Sequence, residues 1–362
     1  MIFLNKRFMK YGLAAIIITY SAVLININYS DKYNKQSGDK DINSNKVSAS
    51  VSEDEKNRYT VAYEGAYFNP YFNSNGTKLL YSSGDNIYEM DLLKNKTVQI
   101  TTLNNCYNPI YENGNDNVIA FARNNGIFIM DINKKDIKRL TGSENPEVSY
   151  AKPNFTTEGD IIYFKVTVLP KPDGHGFVEK EPAIYKVSKD GKKEEKLLDG
   201  YNPVISRDSK KLLYEMNNNI YVMDLQTKTS KLVDSGKYAA WSSDGKYISY
   251  AKFERDIEHY TKFKQQKKLY IDKEYSNIYI ADMENLKKKY KITKEEFQDR
   301  EKEISDWSND IKNTTEEQHF LIVSKMAYFD SVWSNSKDEI YVSAYDGDKA
   351  NFELLKFRFN KK

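Results

Sequence analysis

Short apolar runs alternate with polar turns from about residue 58 to the end of the chain. The pattern is cleanest over residues 237–250. There a run ending at Trp241 is followed by Ser242-Ser243-Asp244-Gly245-Lys246 and then by Tyr247-Ile248-Ser249-Tyr250. Ile248 and Tyr250 share one face of a strand, because strand side chains alternate with period two. The seven-residue step from Trp241 to Ile248 recurs from Phe72 to Leu79, Ile205 to Leu212 and Trp333 to Ile340. Phe155 to Ile161 is one residue shorter, and Tyr111 to Ile119 one longer. An aromatic follows two positions on at Tyr81, Phe121, Tyr163, Tyr214 and Tyr250, with Val342 as the exception. Asn75-Gly76 and Asp244-Gly245 predict hairpins between the two strands, since these residue types tolerate positive φ.

A third strand follows in each copy. Examples are Asn86-Ile87-Tyr88-Glu89-Met90-Asp91 and Asn219-Ile220-Tyr221-Val222-Met223-Asp224. A fourth ends at Ile100-Thr101, Leu140-Thr141, Leu197-Leu198, Leu232-Val233 and Ile292-Thr293. Six such units stand in the chain. Undisturbed units repeat at about forty residues, the length of a propeller blade. The sixth lacks its fourth strand, and a spare strand, Tyr59-Thr60-Val61-Ala62, precedes the first. The expected fold is therefore all-β: a six-bladed β-propeller of four-stranded antiparallel blades over residues 58–362. The N-terminal strand should pair with the last blade and so remove two open sheet edges.

Trp241-Ser242-Ser243-Asp244-Gly245-Lys246 with its Ile-x-Tyr strand resembles the W-S-P-D-G-K repeat of TolB-like β-propellers. Ser243 stands where that repeat has Pro. The resemblance covers roughly residues 58–360 and implies a six-bladed propeller that binds proteins or peptides. The N-terminal α/β domain of TolB has no counterpart, because residues 30–57 are too few to supply it.

Three insertions break the period, at residues 165–182, 253–276 and 294–325. The second is charged and reads as a partial helix or a long hairpin. The third begins with helical charge spacing. It carries the apolar run Phe320-Leu321-Ile322-Val323, which leaves a seventh blade as an alternative.

The N-terminus sets the expected address. Lys6, Arg7 and Lys10 precede an uncharged apolar run over residues 11–27. That is the layout of a signal anchor or signal peptide over residues 1–29. No clear cleavage site follows, so an uncleaved single-pass transmembrane helix is expected, with the propeller extracytoplasmic. Secretion after cleavage is the alternative. Residues 30–57, rich in Ser, Asn, Lys and Asp, read as a flexible linker.

Charge and chemistry narrow the function. With 55 basic and 52 acidic residues, net charge is only +3, which argues against a nucleic-acid partner. The lone Cys106 excludes an intrachain disulfide. His175, His259 and His319 all lie in insertions, and no G-x-S-x-G or H-E-x-x-H motif is present. Asp346-Gly347-Asp348 and residues 113–117 have a calcium-like look, but without a spaced Glu they read as turns. The Met-Asp pairs at 90–91, 130–131 and 223–224 read as core packing followed by a turn. The chain is thus expected to be no enzyme, with no cofactor and no metal.

An aromatic with a polar neighbour recurs just before the inner strand: Phe68-Asn69, Tyr107-Asn108, Tyr201-Asn202 and Phe329-Asp330, with Tyr150 and Tyr238 in similar places. Inner strands line a propeller's central channel, so these ten residues form a candidate binding ring at one mouth. In the simpler reading, the aromatics wedge between blades and the polar residue only starts the strand. The expected function is a membrane-tethered scaffold binding an envelope protein, peptide or glycan. A propeller enzyme acting on a glycan or lactone at the channel mouth is the alternative.

Overall fold

The computed structural model describes residues 59–172, 177–258, 269–293, 318–323, 326–335, 338–347 and 349–359. The expected N-terminal helix and linker lie outside them, as do His175, His259 and most of the third insertion. Among the described residues no helix is long and apolar enough to cross a membrane.

Six antiparallel sheets follow one another along the chain. Blade one holds Phe68–Phe72, Lys78–Ser83, Asn86–Asp91 and Lys96–Gln99. Blade two holds Cys106–Glu112, Asn115–Arg123, Gly126–Asp131 and Asp136–Gly142. Blade three holds Val148–Phe155, Ile161–Pro170, Phe177–Val187 and Glu194–Asp199. Blade four holds Tyr201–Ile205, Lys211–Met216, Asn219–Asp224 and Ser230–Ser235. Blade five holds Lys237–Trp241, Tyr247–Glu258, Leu269–Asp282 and Lys289–Lys291. In the sixth, Met326–Trp333, Glu339–Asp346 and Asn351–Arg358 are joined by Thr60–Glu64. Neighbouring inner strands touch all the way round, including Phe68–Phe72 against Met326–Trp333. The fold is a six-bladed β-propeller.

The repeat has a packing cause. In five blades the recurring aromatic of the second strand sits directly opposite an aromatic of the third. Tyr81 stacks on Tyr88 at 5.7 Å, Phe121 on Phe128 at 5.8 Å and Tyr214 on Tyr221 at 5.3 Å. Tyr163 with Tyr185 and Tyr250 with Tyr279 do the same. Such cross-strand pairs stabilise a sheet and fix its register. Second strands are covered by neighbouring blades on both faces, so Leu79, Leu80, Leu212 and Leu213 are all buried. The outermost strand of blade one is exposed throughout.

The turns follow from side-chain chemistry. In the Ser-x-Asp turns Ser242 Oγ donates to Asp244 Oδ1 (2.6 Å) and Ser206 Oγ to Asp208 Oδ1 (2.7 Å). Each serine also accepts the backbone N–H that opens the next strand, from Tyr247 and Lys211. This is the physical content of the motif around Trp241. The Met-Asp pairs behave as read. Met90, Met130 and Met223 are buried, while Asp91, Asp131 and Asp224 each accept two backbone N–H groups of the following turn.

The first two insertions lengthen hairpins. Blade three's central strands pair out to Pro170 opposite Phe177, and blade five's out to Glu258 opposite Ile271. The apolar run of the third insertion founds no seventh blade. Its strand Gln318–Val323 pairs in parallel with Leu269–Asp282 of blade five.

Candidate functional site

Every inner strand breaks register with its neighbour at the same place, between Phe68 and Tyr71, Tyr107 and Ile110, Ala151 and Asn154, Tyr201 and Val204, Lys237 and Ala240, and Tyr328 and Ser331. In five blades the bulge contains a left-handed residue: Asn69 (φ 51°), Asn108 (52°), Lys152 (51°), Asn202 (46°) and Tyr238 (59°). Asn adopts this conformation at little cost, whereas for other side chains it costs about 1–2 kcal/mol. Pro70, Pro109, Pro153 and Pro203 follow, and a bulge tolerates a residue that has no N–H to give the ladder. Asp330 takes the matching position in blade six.

The bulge turns these six side chains inward. Asn69, Asn108, Lys152, Asn202, Tyr238 and Asp330 all line the central channel, a cavity of about 240 Å³. Lys152 Nζ reaches Asp330 Oδ1 at 2.7 Å, and Asn69 Nδ2 donates to Asp330 Oδ2 at 2.7 Å. Asn108 Oδ1 accepts the Lys152 backbone N–H at 3.1 Å. One layer behind, the buried Glu215 accepts from Asn202 Nδ2 (3.0 Å) and from the Tyr238 backbone N–H (2.6 Å). Burial pushes the Glu215 carboxyl above the usual range, opposed by those two hydrogen bonds and by Lys237 and Lys152. Burial also raises the Tyr238 hydroxyl, helped by the charges of Glu215 and Asp330.

The ten residues singled out from sequence divide in two. Asn69, Asn108, Asn202, Tyr238 and Asp330 face the channel. The other five pack among the blades. Tyr107 donates its hydroxyl to Tyr150 O (3.0 Å), tying blade two to blade three. Tyr150 stacks on Tyr163, and Tyr201 lies 5.2 Å from Phe164. Phe68 and Phe329 pack on Phe352. Lys152 and Glu215 were not anticipated. Lys152-Pro153 holds the same sequence step as Asn69-Pro70, Asn108-Pro109 and Asn202-Pro203, and that proline was the available signal. In blade three Ala151, and not Tyr150, stands where the other copies carry Phe68, Tyr107 and Tyr201, so the repeat there is displaced by one residue from its aromatic.

Tyr71 and Arg207 also line the channel. Burial raises the Tyr71 hydroxyl and the Arg207 guanidinium pulls it back. Among the described residues no group of three or more His, Cys, Asp or Glu side chains could hold a metal ion. Asp346 is engaged by Lys349, through its backbone N–H and its ammonium.

No family model matches the sequence, and no curated protein does. Solved structures match the fold. A luciferin-regenerating enzyme is 11% identical with a TM-score of 0.52, over 85% of this chain and 94% of that one. A calcium-binding protein, regucalcin, from Agrobacterium tumefaciens is 13% identical with a TM-score of 0.49, over 84% and 96%. A protein described as a TolB of the same organism is 11% identical with a TM-score of 0.48, over 82% and 91%. The first of these overturns the expectation that the chain is no enzyme. An enzyme carries this fold, so the lack of a familiar catalytic motif excludes nothing. At such identity the likeness defines a six-bladed propeller and no activity.

Proposed function

We propose that this chain is a TolB-like, membrane-tethered extracytoplasmic propeller whose central channel receives a ligand. In this reading the apolar run over residues 11–27 is the anchor, residues 30–57 are the tether, and Thr60–Glu64 closes the ring by completing blade six. The partner is an envelope protein, a peptide or a glycan, which would insert an end group or a loop at the mouth. One observation carries the reading: six inner strands bring six polar side chains around a single cavity, five of them on the same left-handed bulge. Lys152 and Tyr238 hold that conformation without the ease of Asn, and such local strain collects at functional sites.

Crosslinking in cells tests it. A photoreactive residue at position 202, inside the mouth, should capture a partner that one at the outward-facing Leu93 does not. Equal capture at both positions, or none at 202, overturns the channel reading. The mass of the mature protein tests the anchor, since loss of the apolar run means a secreted protein.

A second reading is favoured by Glu215. A buried carboxyl held above its usual range beside a channel mouth suits proton transfer, as an enzyme acting on a glycan or lactone would need. Turnover abolished by Glu215→Gln in a protein that still binds its ligand selects that reading.

A further inference from the structure

We infer that the channel mouth is a receiving site for a carboxylate. The inference rests on the channel being a binding site and names the chemistry that it takes. Asn108 lines the cavity and is 2% exposed. Its Oδ1 holds the Lys152 backbone N–H, which fixes the way the amide faces. Its Nδ2 is left without an acceptor among the described residues. A buried donor in that state is costly and rare.

The two carboxylates of the site are each held on both oxygens. Asp330 takes Asn69 on one oxygen and Lys152 on the other. Glu215 takes Asn202 on one and the Tyr238 N–H on the other. The ring's one buried side-chain atom left without a partner among the described residues is a donor, the Asn108 amide, and the Lys152 ammonium, which carries three N–H bonds and gives one to Asp330, has donor capacity to spare. A donor pair of which one member is cationic selects an oxygen acceptor. An ionised one is preferred, because such bonds are about twice as strong as neutral ones. In the bound state the carboxylate takes Asn108 Nδ2 and Lys152 Nζ, and Lys152 bridges it to Asp330.

Size and walls define the rest of the ligand. At about 240 Å³ the cavity lies just under the usual range for small-molecule sites. It admits a short end group and no folded surface. Beyond the ring it is walled by Ile110, Phe155, Trp241 and Trp333, which suit a short apolar stem. A peptide C-terminus and a small free organic acid share this chemistry.

Calorimetric titration of the full chain decides. The probes are N-acetyl-alanine, N-acetyl-trialanine and the C-terminal amide of each. The acids should bind and the amides should not. Asn108→Asp, which replaces the free donor with an acceptor, and Lys152→Met should each weaken acid binding at least tenfold. A tighter tripeptide acid assigns the site to peptide C-termini, and equal affinities assign it to free acids. Amides that bind as well as acids, or two folded variants with wild-type affinity, overturn the inference and leave the channel reading standing. Binding by none of the four probes also overturns it, while capture through position 202 judges the channel separately.

Discussion

Lys152 and Asp330 meet across the central channel, Nζ to Oδ1 at 2.7 Å, although 178 residues separate them. They sit on blades three and six, which face each other in a ring of six. Both side chains are largely buried, at 18% and 14% exposure. A strap of this kind joins the two halves of the propeller through its axis and holds the mouth in one shape.

Removing one end should therefore expose the other's desolvation cost. Lys152→Met leaves Asp330 with Asn69 alone, and should destabilise the fold by about 2 kcal/mol, between the values for surface and for fully buried pairs. Asp330→Asn in the same background should restore part of that loss. Urea denaturation of both single variants and the double variant measures the coupling. Strictly additive losses would mean that the strap contributes no stability.

Glu215 supplies a pH dependence with a defined sign. Burial raises its folded-state pKa above the ordinary carboxyl value, so the folded state holds the proton more tightly than the unfolded one. Its contribution is most favourable below the unfolded pKa and is lost as pH rises through the folded one. Glu215→Gln keeps an acceptor for the Tyr238 N–H and cannot ionise. The stability of the variant relative to wild type should rise between pH 4 and pH 7. Chemical denaturation across that range checks it, and a flat difference would show that Glu215 titrates normally.

The blades were legible because their packing is local and periodic. Tyr81 opposite Tyr88, or Tyr250 opposite Tyr279, leaves an aromatic at a fixed offset in each copy, and the Ser-x-Asp turn leaves its own trace. The mouth was half legible. Asn-Pro marks the left-handed bulge in three blades, but the same step reads Lys152-Pro153 in a fourth and Tyr238-Ala239 in a fifth. What orders those positions is backbone geometry, which several side chains satisfy. That Lys152 meets Asp330 had no local signal, since the pair arises only when the ring closes.

Tyr107 separates a wedge from a ligand contact. Its ring is buried between blades two and three, and its hydroxyl shares its one hydrogen between Tyr150 O (3.0 Å) and Asn124 O (3.1 Å). Tyr107→Ala should cost about 3–5 kcal/mol, as other large-to-small core changes do. Tyr107→Phe should cost about 1–2 kcal/mol, because the carbonyls that shared its hydrogen lose their donor. Urea midpoints at constant slope check both. A stable Tyr107→Ala protein with lost ligand binding would return this residue to the site.

Gly236 enters the inner strand of blade five at φ 152°, and the space beside it is already filled. A Cβ there would lie 2.8 Å from the Ala251 carbonyl oxygen and 2.8 Å from a ring carbon of Tyr250. Neither can yield freely, because Ala251 pairs with Lys237 in the ladder and the Tyr250 hydroxyl is bonded to Asp234. Gly236→Ala should therefore cost about 2–3 kcal/mol, combining backbone strain with a clash. Gly245 is the control. It also has positive φ, at 69°, but nothing lies within 4 Å of its added Cβ, so Gly245→Ala should cost only about 1 kcal/mol. Because Gly236 leads directly into Lys237 and Tyr238, its substitution should also disturb the mouth, where Gly245→Ala should not. Thermal denaturation ranks the two variants, and titration with the carboxylate probes reads the mouth. Equal stability losses would place the cost in the backbone conformation alone and remove the close approach as its cause.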